Sequence, residues 1–313
     1  MKSNTKIGAV PPRLPSNSIT QTKNHQSTIA IASGKGGTGK TLVATNLALA
    51  SDEEIQFLDC DVEEPNAYVF LKPQLMDTIP VMLPLPKIDV EKCTGCGKCA
   101  EFCEYNALAV VKGKAIIFSE LCHSCGGCIL VCPYDAIFET NRQIGVVEIG
   151  ESYGMPVIDG VLNVGEAIAP PIIKAVKAQA RPDLITIIDC PPGTACPMIE
   201  SVKGSDYCVL VTEPTPFGHH DLTLAVEVMR ELSIPFGVIV NRAGIGDDKV
   251  YKYCEAENIE ILMQIPMDRK IAEVYSDGIP LVEALPEYKE KFTELFKEIP
   301  PLYQRGGGGI LQK

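Results

Sequence analysis

Two segments of this chain, CTGCGKCAEFCEYNAL (Cys93–Leu108) and CHSCGGCILVCPYDAI (Cys122–Ile137), align at every cysteine. They also align at Gly97 with Gly126, Tyr105 with Tyr134 and Ala107 with Ala136. Each reads C-x2-C-x2-C-x3-C, and eight thiols so spaced leave few folds open. Short spacers let three thiolates wrap one metal–sulfide cube, while the fourth cysteine departs on a helix toward the other cube. The spacing therefore predicts two [4Fe–4S] clusters. Cys93, Cys96, Cys99 and Cys132 hold one; Cys122, Cys125, Cys128 and Cys103 hold the other. Structural zinc takes cysteine pairs separated by a longer spacer, and disulfides are the poorer explanation for a chain without a secretion signal. Pro133 follows the second run but Glu104 follows the first. That proline is a backbone device, so the ligand assignment stands without it.

The chain has 313 residues, 46% of them hydrophobic, enough for one large α/β domain or two domains. No apolar run approaches the roughly 18 residues of a membrane span, and the tail RGGGGILQK is too short for an amphipathic membrane helix. No membrane partner is expected. A net charge of −12 disfavours nucleic acid as a partner. Residues 1–26 are polar, with Pro11, Pro12 and Pro15, and read as a flexible arm rather than a signal peptide. Residues 300–313 read as a flexible tail, and the location expected is cytoplasmic.

Around the cysteine runs the chain alternates strands with helices. Strands are expected at Thr28–Ser33, Ile55–Asp59, Leu184–Asp189, Tyr207–Thr212, Phe236–Asn241 and Ile259–Ile265. Helices are expected at Lys40–Ala50, Leu222–Leu232 and Asp248–Glu257, and near Glu166–Gln179 and Glu287–Glu298. This rhythm predicts an α/β fold with a mostly parallel sheet covered on both faces. It breaks from about Pro84 to Thr140, where only a hairpin, Leu108–Phe118, turning at Lys112-Gly113-Lys114, stands out. The organisation expected is a discontinuous α/β domain, 27–83 and 141–299, with a small α+β ferredoxin-like module, 84–140, inserted in it.

The first expected strand runs into SGKGGTGKT, Ser33–Thr41, which fits G-x-x-x-x-G-K-[ST] and opens a helix, the context that makes a phosphate-binding loop credible. Gly34, Gly36, Gly37, Thr38 and Gly39 form the cradle, because backbone N–H groups reach phosphate where no side chain intervenes. Lys40 should meet the β- and γ-phosphates of ATP or ADP, and Thr41 should ligate Mg²⁺. Asp189 closes an apolar strand in ITIIDCPPG and is the expected magnesium carboxylate. Asp59 and Asp61, in FLDCDVEEPN, are further candidates at the same sheet edge.

The early lysine in GKGGTGKT, the DCD after the second strand, DCPPGT and VNR (Val240–Arg242) together resemble the MinD/ParA/Mrp group of P-loop ATPases, to which the nitrogenase iron protein is related. The likeness covers about 28–77 and 145–283. With the inserted cysteine module, the whole resembles MinD-type ATPases that carry a ferredoxin domain. The resemblance implies an ATP-dependent homodimer in which Lys35 crosses the interface to the partner's phosphates. A cation delivered in trans offsets charge developing in phosphoryl transfer, as an arginine finger does. It also implies that Asp61 positions the attacking water and that Asn241, Pro266 and Asp268 contact adenine; Asp268 could equally N-cap a helix starting at Arg269. Two outputs remain: the resemblance favours the first, and permanent coordination by eight cysteines favours the second. One is assembly of a metal or iron–sulfur cluster or its delivery to a client protein. The other is ATP-gated electron transfer to a redox partner.

Cys60, Cys190, Cys196, Cys208 and Cys254 lie outside the runs. Cys208 reads as a buried apolar residue. Cys196 lies where the nitrogenase iron protein holds a cluster between subunits, so a bridging third cluster and simple packing both stand. GHHD, Gly218–Asp221, reads as a helix start with Asp221 near its N-terminal end rather than as a metal site.

Overall fold

The apolar runs beside glycine and aspartate become strands. They are β1 (Thr28–Ala32), β2 (Ile55–Asp59), β3 (Gln74–Ile88), β4 (Leu108–Val111), β5 (Lys114–Ile117), β6 (Ile137–Ser152), β7 (Met155–Leu162), β8 (Ile185–Asp189), β9 (Tyr207–Thr212), β10 (Phe236–Ala243) and β11 (Ile261–Pro266). The computed structural model describes residues 27–299, so the arm and tail expected at 1–26 and 300–313 lie outside the described residues. Nine strands form one sheet in the order β11-β10-β9-β1-β8-β2-β7-β6-β3, and β4 pairs with β5 alone. All pairs from β11 to β7 are parallel; β7–β6 and β6–β3 are antiparallel.

Successive residues on a strand face opposite ways, and the two faces bury separate cores. Ile29, Ile31, Phe57, Ile187 and Val209 pack with the helices Lys40–Leu49 and Pro286–Glu298. Ala30, Leu58, Ile188 and Leu210 pack with Pro170–Ala178, Pro216–Glu231 and Lys249–Ala256. Cys60, Cys190, Cys208 and Cys254 all lie in this second core, and burial pushes the Cys208 thiol well up.

Three strands, β3, β6 and β7, occupy stretches where the sequence suggests none. Pro80, Pro84 and Pro86 obscure β3, yet it is the edge strand, where a missing N–H is tolerated. The expected limits of the insertion, 84 and 140, fall inside β3 and β6, where Leu85 faces Thr140 across the ladder. β6 pairs with β7 only from Gly145 onward, and Gly145 faces Leu162, the last residue of β7. The remainder of β3 and β6 therefore projects as a two-stranded ribbon. Because β7 runs parallel to β2, the ribbon leaves by the edge at which β1, β2 and β8 end.

The cysteine runs sit at the tip of this ribbon, around a small core of Cys99, Cys122, Cys128, Ala107, Leu108 and Ile137. The sequence repeat is repeated in the backbone. Gly97 (φ +84°) and Gly126 (φ +70°) both take the left-handed conformation that launches the short helices Lys98–Phe102 and Gly127–Leu130. Arg142 ties the tip to the body: its guanidinium donates to the Ser119 carbonyl (3.3 Å) and pairs with Glu166.

Candidate nucleotide-binding site and paired cysteine cavities

The loop between β1 and the helix Lys40–Leu49 owes its path to glycines. Gly37 and Gly39 have φ of +76° and +96°. A Cβ on Gly34 would lie 2.1 Å from the Asp221 carbonyl oxygen, so the loop can rest on the helix Pro216–Glu231 only with glycine there. That helix starts at Pro216, earlier than Leu222 as expected. Thr215 caps it by accepting from the Gly218 N–H, and Pro216 takes the first helical position that suits proline. Asp221 is thus inside the helix, past its start, and His219 packs edge-on against Tyr253.

Gly36 and Gly37 are exposed, while Thr38 and Lys40 are buried. Asn241, on β10, holds the loop from behind. Its Nδ2 donates to the Thr38 carbonyl (2.8 Å) and its Oδ1 accepts from the Arg242 N–H (2.9 Å). One N–H of the amide and one lone pair of its oxygen are left over for a further partner.

Asp189 ends β8, fully buried, and neither carboxylate oxygen has a hydrogen-bond partner; the Thr38 hydroxyl nearby in the loop lacks one too. Burial pushes the Asp189 carboxyl up to about 6 against the pull of Lys40 and the Thr41 hydroxyl. A buried carboxylate compensated only by a neighbouring lysine and hydroxyl is costly. One beside a lysine and a threonine hydroxyl, at a phosphate-binding loop, suits a hard divalent cation such as Mg²⁺.

Asp59, beside Asp189 in register, shapes the loop that follows. Its two oxygens accept from the Asp61 N–H (3.0 Å) and the Ala67 N–H (3.1 Å). Burial, then Asp189 and Asp159, raise it well above the usual carboxylate range. Asp61 is pushed up to about 7, again by burial first, with Lys40 opposing. That places a proton acceptor near neutrality at the edge of the site.

Lys35 lies 3.1 Å from Glu213, whose side chain is only 7% exposed and also pairs with Arg242. Glu213 was not foreseen, although it follows the apolar strand YCVLVT much as Asp61 follows its own. Pro266 ends β11 and is exposed. Asp268 accepts from the Lys270 N–H (2.8 Å) and so caps the helix Arg269–Ser276.

The cysteines separate into two groups. Cys93, Cys96, Cys99 and Cys132 line one cavity, together with Gly95, Gly97 and Tyr134. Cys103, Cys122, Cys125 and Cys128 line another, beside Phe102 and Tyr105. In each, three cysteines of one run meet the fourth of the other, the quartets that the spacing predicts. The runs also touch through the stacked rings of Tyr105 and His123, 3.8 Å apart. Among the described residues no three His, Cys, Asp or Glu converge on a point as a single metal ion would require; each quartet surrounds a space instead. Burial, with neighbouring thiols adding, pushes Cys128 up to about 11 and raises Cys99. Thiols crowded in this way suit a polynuclear cationic core, which favours their thiolate form. Cys196 stands apart, exposed at the start of the helix Cys196–Val202.

A family model described as the CobQ/CobB/MinD/ParA nucleotide binding domain matches residues 29–281. An uncharacterized protein of Methanocaldococcus jannaschii is 32% identical over 87% of this chain and 95% of its own. A Pyrococcus horikoshii protein named iron-sulfur cluster carrier protein is 27% identical over 90% of this chain and 88% of its own. Among solved structures, the septum site-determining protein MinD with Mg-ADP from Pyrococcus horikoshii has a similar fold. Its TM-score is 0.54 at 21% identity, covering 89% of this chain and 97% of that one.

Proposed function

The chain belongs to the CobQ/CobB/MinD/ParA nucleotide-binding family and has its ATPase fold, and from that premise we propose a dimeric ATPase that couples closure to cluster assembly or delivery to a client protein. The observation that carries this reading is the position of the two cysteine quartets, on a ribbon that leaves the sheet by the edge at which the phosphate-binding loop lies. Relatives named iron-sulfur cluster carrier proteins support the choice of cargo. The α/β body is 27–83 and 141–299, and the module 84–140 is a two-cluster ferredoxin-like unit.

In this mechanism the N–H groups of Gly36, Gly37 and Gly39 bind the phosphates of ATP, and Lys40 meets the β/γ end. Thr41 and Asp189 would hold Mg²⁺, whose charge offsets that of the phosphates. Asp61 orients the attacking water and accepts its proton. Lys35 leaves Glu213 for the phosphates bound by the partner subunit, so ATP stabilises the closed dimer and products release it. ATP can bias only states that it binds differently, and Lys35 supplies that difference.

Closure has a route to the module. Val62, next to Asp61, accepts from the Leu162 N–H (2.8 Å) at the end of β7. Leu162 faces Gly145 of β6, at the base of the ribbon that Arg142 secures. The quartets would hold two [4Fe–4S] clusters, which supply one-electron storage when bound.

Protein purified without oxygen and mixed with an apo-acceptor tests the proposal. Iron and sulfide should move to the acceptor with Mg-ATP, but not with ADP or in Lys40→Ala. Clusters that stay in place yet are oxidised by a redox partner only with ATP would replace delivery with gated electron transfer.

A further inference from the structure

Four acidic residues stand side by side on four adjacent strands. The ladders pair Asp189 of β8 with Asp59 of β2, Asp59 with Asp159 of β7, and Asp159 with Glu148 of β6. Strand alternation puts them on the face that buries Phe57, Val157 and Ile187. Asp189 belongs to the nucleotide site, and Asp59 is satisfied by loop N–H groups. Asp159 and Glu148 have neither role. Asp159 is 6% exposed, and its Oδ1 has no hydrogen-bond partner. Glu148 lies directly across an antiparallel pair, where like charges destabilise. Both line a cavity of about 400 Å³ that Tyr68, Lys72, Pro73 and Leu75 wall in.

We infer that this cavity binds a small organic cation through a primary ammonium group held between Asp159 and Glu148. Two facing carboxylates repel each other, and a cation between them relieves the repulsion, as a proton on Asp159 does when no cation is bound. Tyr68, Pro73 and Leu75 give the cavity an apolar wall that suits an organic cation better than a hydrated metal ion, which would keep most of its waters beside two carboxylates. The volume lies in the range of small-molecule sites. The Tyr68 ring can cover the cation, and Pro73 and Leu75 its apolar part. Lys72 lines the same cavity, so the total charge there favours a monocation over a dication, and the rest of the ligand is neutral or anionic.

Calorimetry on the full-length, cluster-loaded protein, with butylamine, γ-aminobutyrate, tetramethylammonium and Mn²⁺ as probes, tests this. At least one of the two amines should bind at a single site. Its affinity should be at least about tenfold above that of tetramethylammonium, which has the charge but no N–H donors. Glu148→Gln, on a half-exposed strand position, and Asp159→Asn, nearly isosteric, should each weaken it about tenfold while circular dichroism stays unchanged. No saturable amine binding up to about 10 mM, equal affinity in Glu148→Gln, or Mn²⁺ binding in place of amines overturns the assignment.

Discussion

Lys35 pairs with Glu213 of its own subunit, and in the proposed dimer it must leave that partner to reach the other subunit. Glu213 is nearly buried and faces two cations, Lys35 and Arg242, so losing Lys35 to a partner leaves Glu213 still paired. The arrangement suits a reversible latch: the lysine can leave without stranding a buried charge, which would cost several kcal/mol. Partly exposed pairs contribute on the order of 1 kcal/mol. Glu213→Gln should therefore lower the ATP concentration at which dimers form by roughly fivefold, as read by sedimentation across an ATP titration. Lys35→Ala should abolish ATP-dependent dimers. Dimers that form normally in Lys35→Ala, or an unshifted titration in Glu213→Gln, would show that the pair is only a surface contact of the loop.

At the scale of elements, the row of carboxylates across β8, β2, β7 and β6 has a consequence for stability. Burial, then Glu148, pushes Asp159 up to about 7 from an ordinary 3.8. Asp59 from β2, Glu148 from β6, and Tyr68 and Lys72 from the neighbouring helix end are the ionisable groups around it. Between those two values the native state holds a proton that the unfolded chain has lost, so this group's contribution to stability falls as pH rises through the window and levels off above it. Asp159→Asn has no such proton. In amine-free and nucleotide-free buffer its stability relative to the parent should rise by roughly 2–3 kcal/mol between pH 5 and pH 8, measured by urea unfolding at each pH. A constant difference would show that Asp159 is ionised throughout. Such a row is hidden in the sequence because it depends on the register of strands far apart in the chain. The strands β1, β2, β8 and β9 are legible because each is a short apolar run buried on both faces. The ribbon strands are not: β3 is interrupted by prolines, and β6 carries NRQ where its ladder leaves the sheet. The phosphate-binding loop and the cysteine quartets are legible because their residues fall at short, recognisable spacings within each run. Glu213 follows an apolar strand as Asp61 does, but its partner Lys35 lies far away in sequence; Arg142 reaches Ser119 and Glu166 with no motif around it to signal either contact.

The whole molecule joins two bodies through one pair of strands, and this geometry makes them separable. The module has its own small core, half of whose buried residues are cysteines, whereas the α/β body buries two large apolar layers without it. Pro84 and Asn141 face each other across the ribbon, so a two-residue Asn-Gly turn can join them in place of residues 85–140, closing a hairpin with the twist that such turns favour. The cut removes the Arg142 contact with Ser119 but leaves its pairing with Glu166, and it keeps Val62 on Leu162. The shortened chain should fold cooperatively, bind Mg-ATP with the affinity of the parent and dimerise through Lys35, yet be free of iron and transfer nothing to an acceptor. In the full chain, a chelator and oxygen should melt the module first, because its core depends on the thiols being bridged, while the body keeps its nucleotide affinity. Fluorescent ATP-analogue binding and circular dichroism on both proteins decide the matter. An insoluble shortened chain, or nucleotide affinity lost together with the iron, would mean that the sheet needs the module to fold and that coupling runs through shared stability rather than through the loop at Asp61.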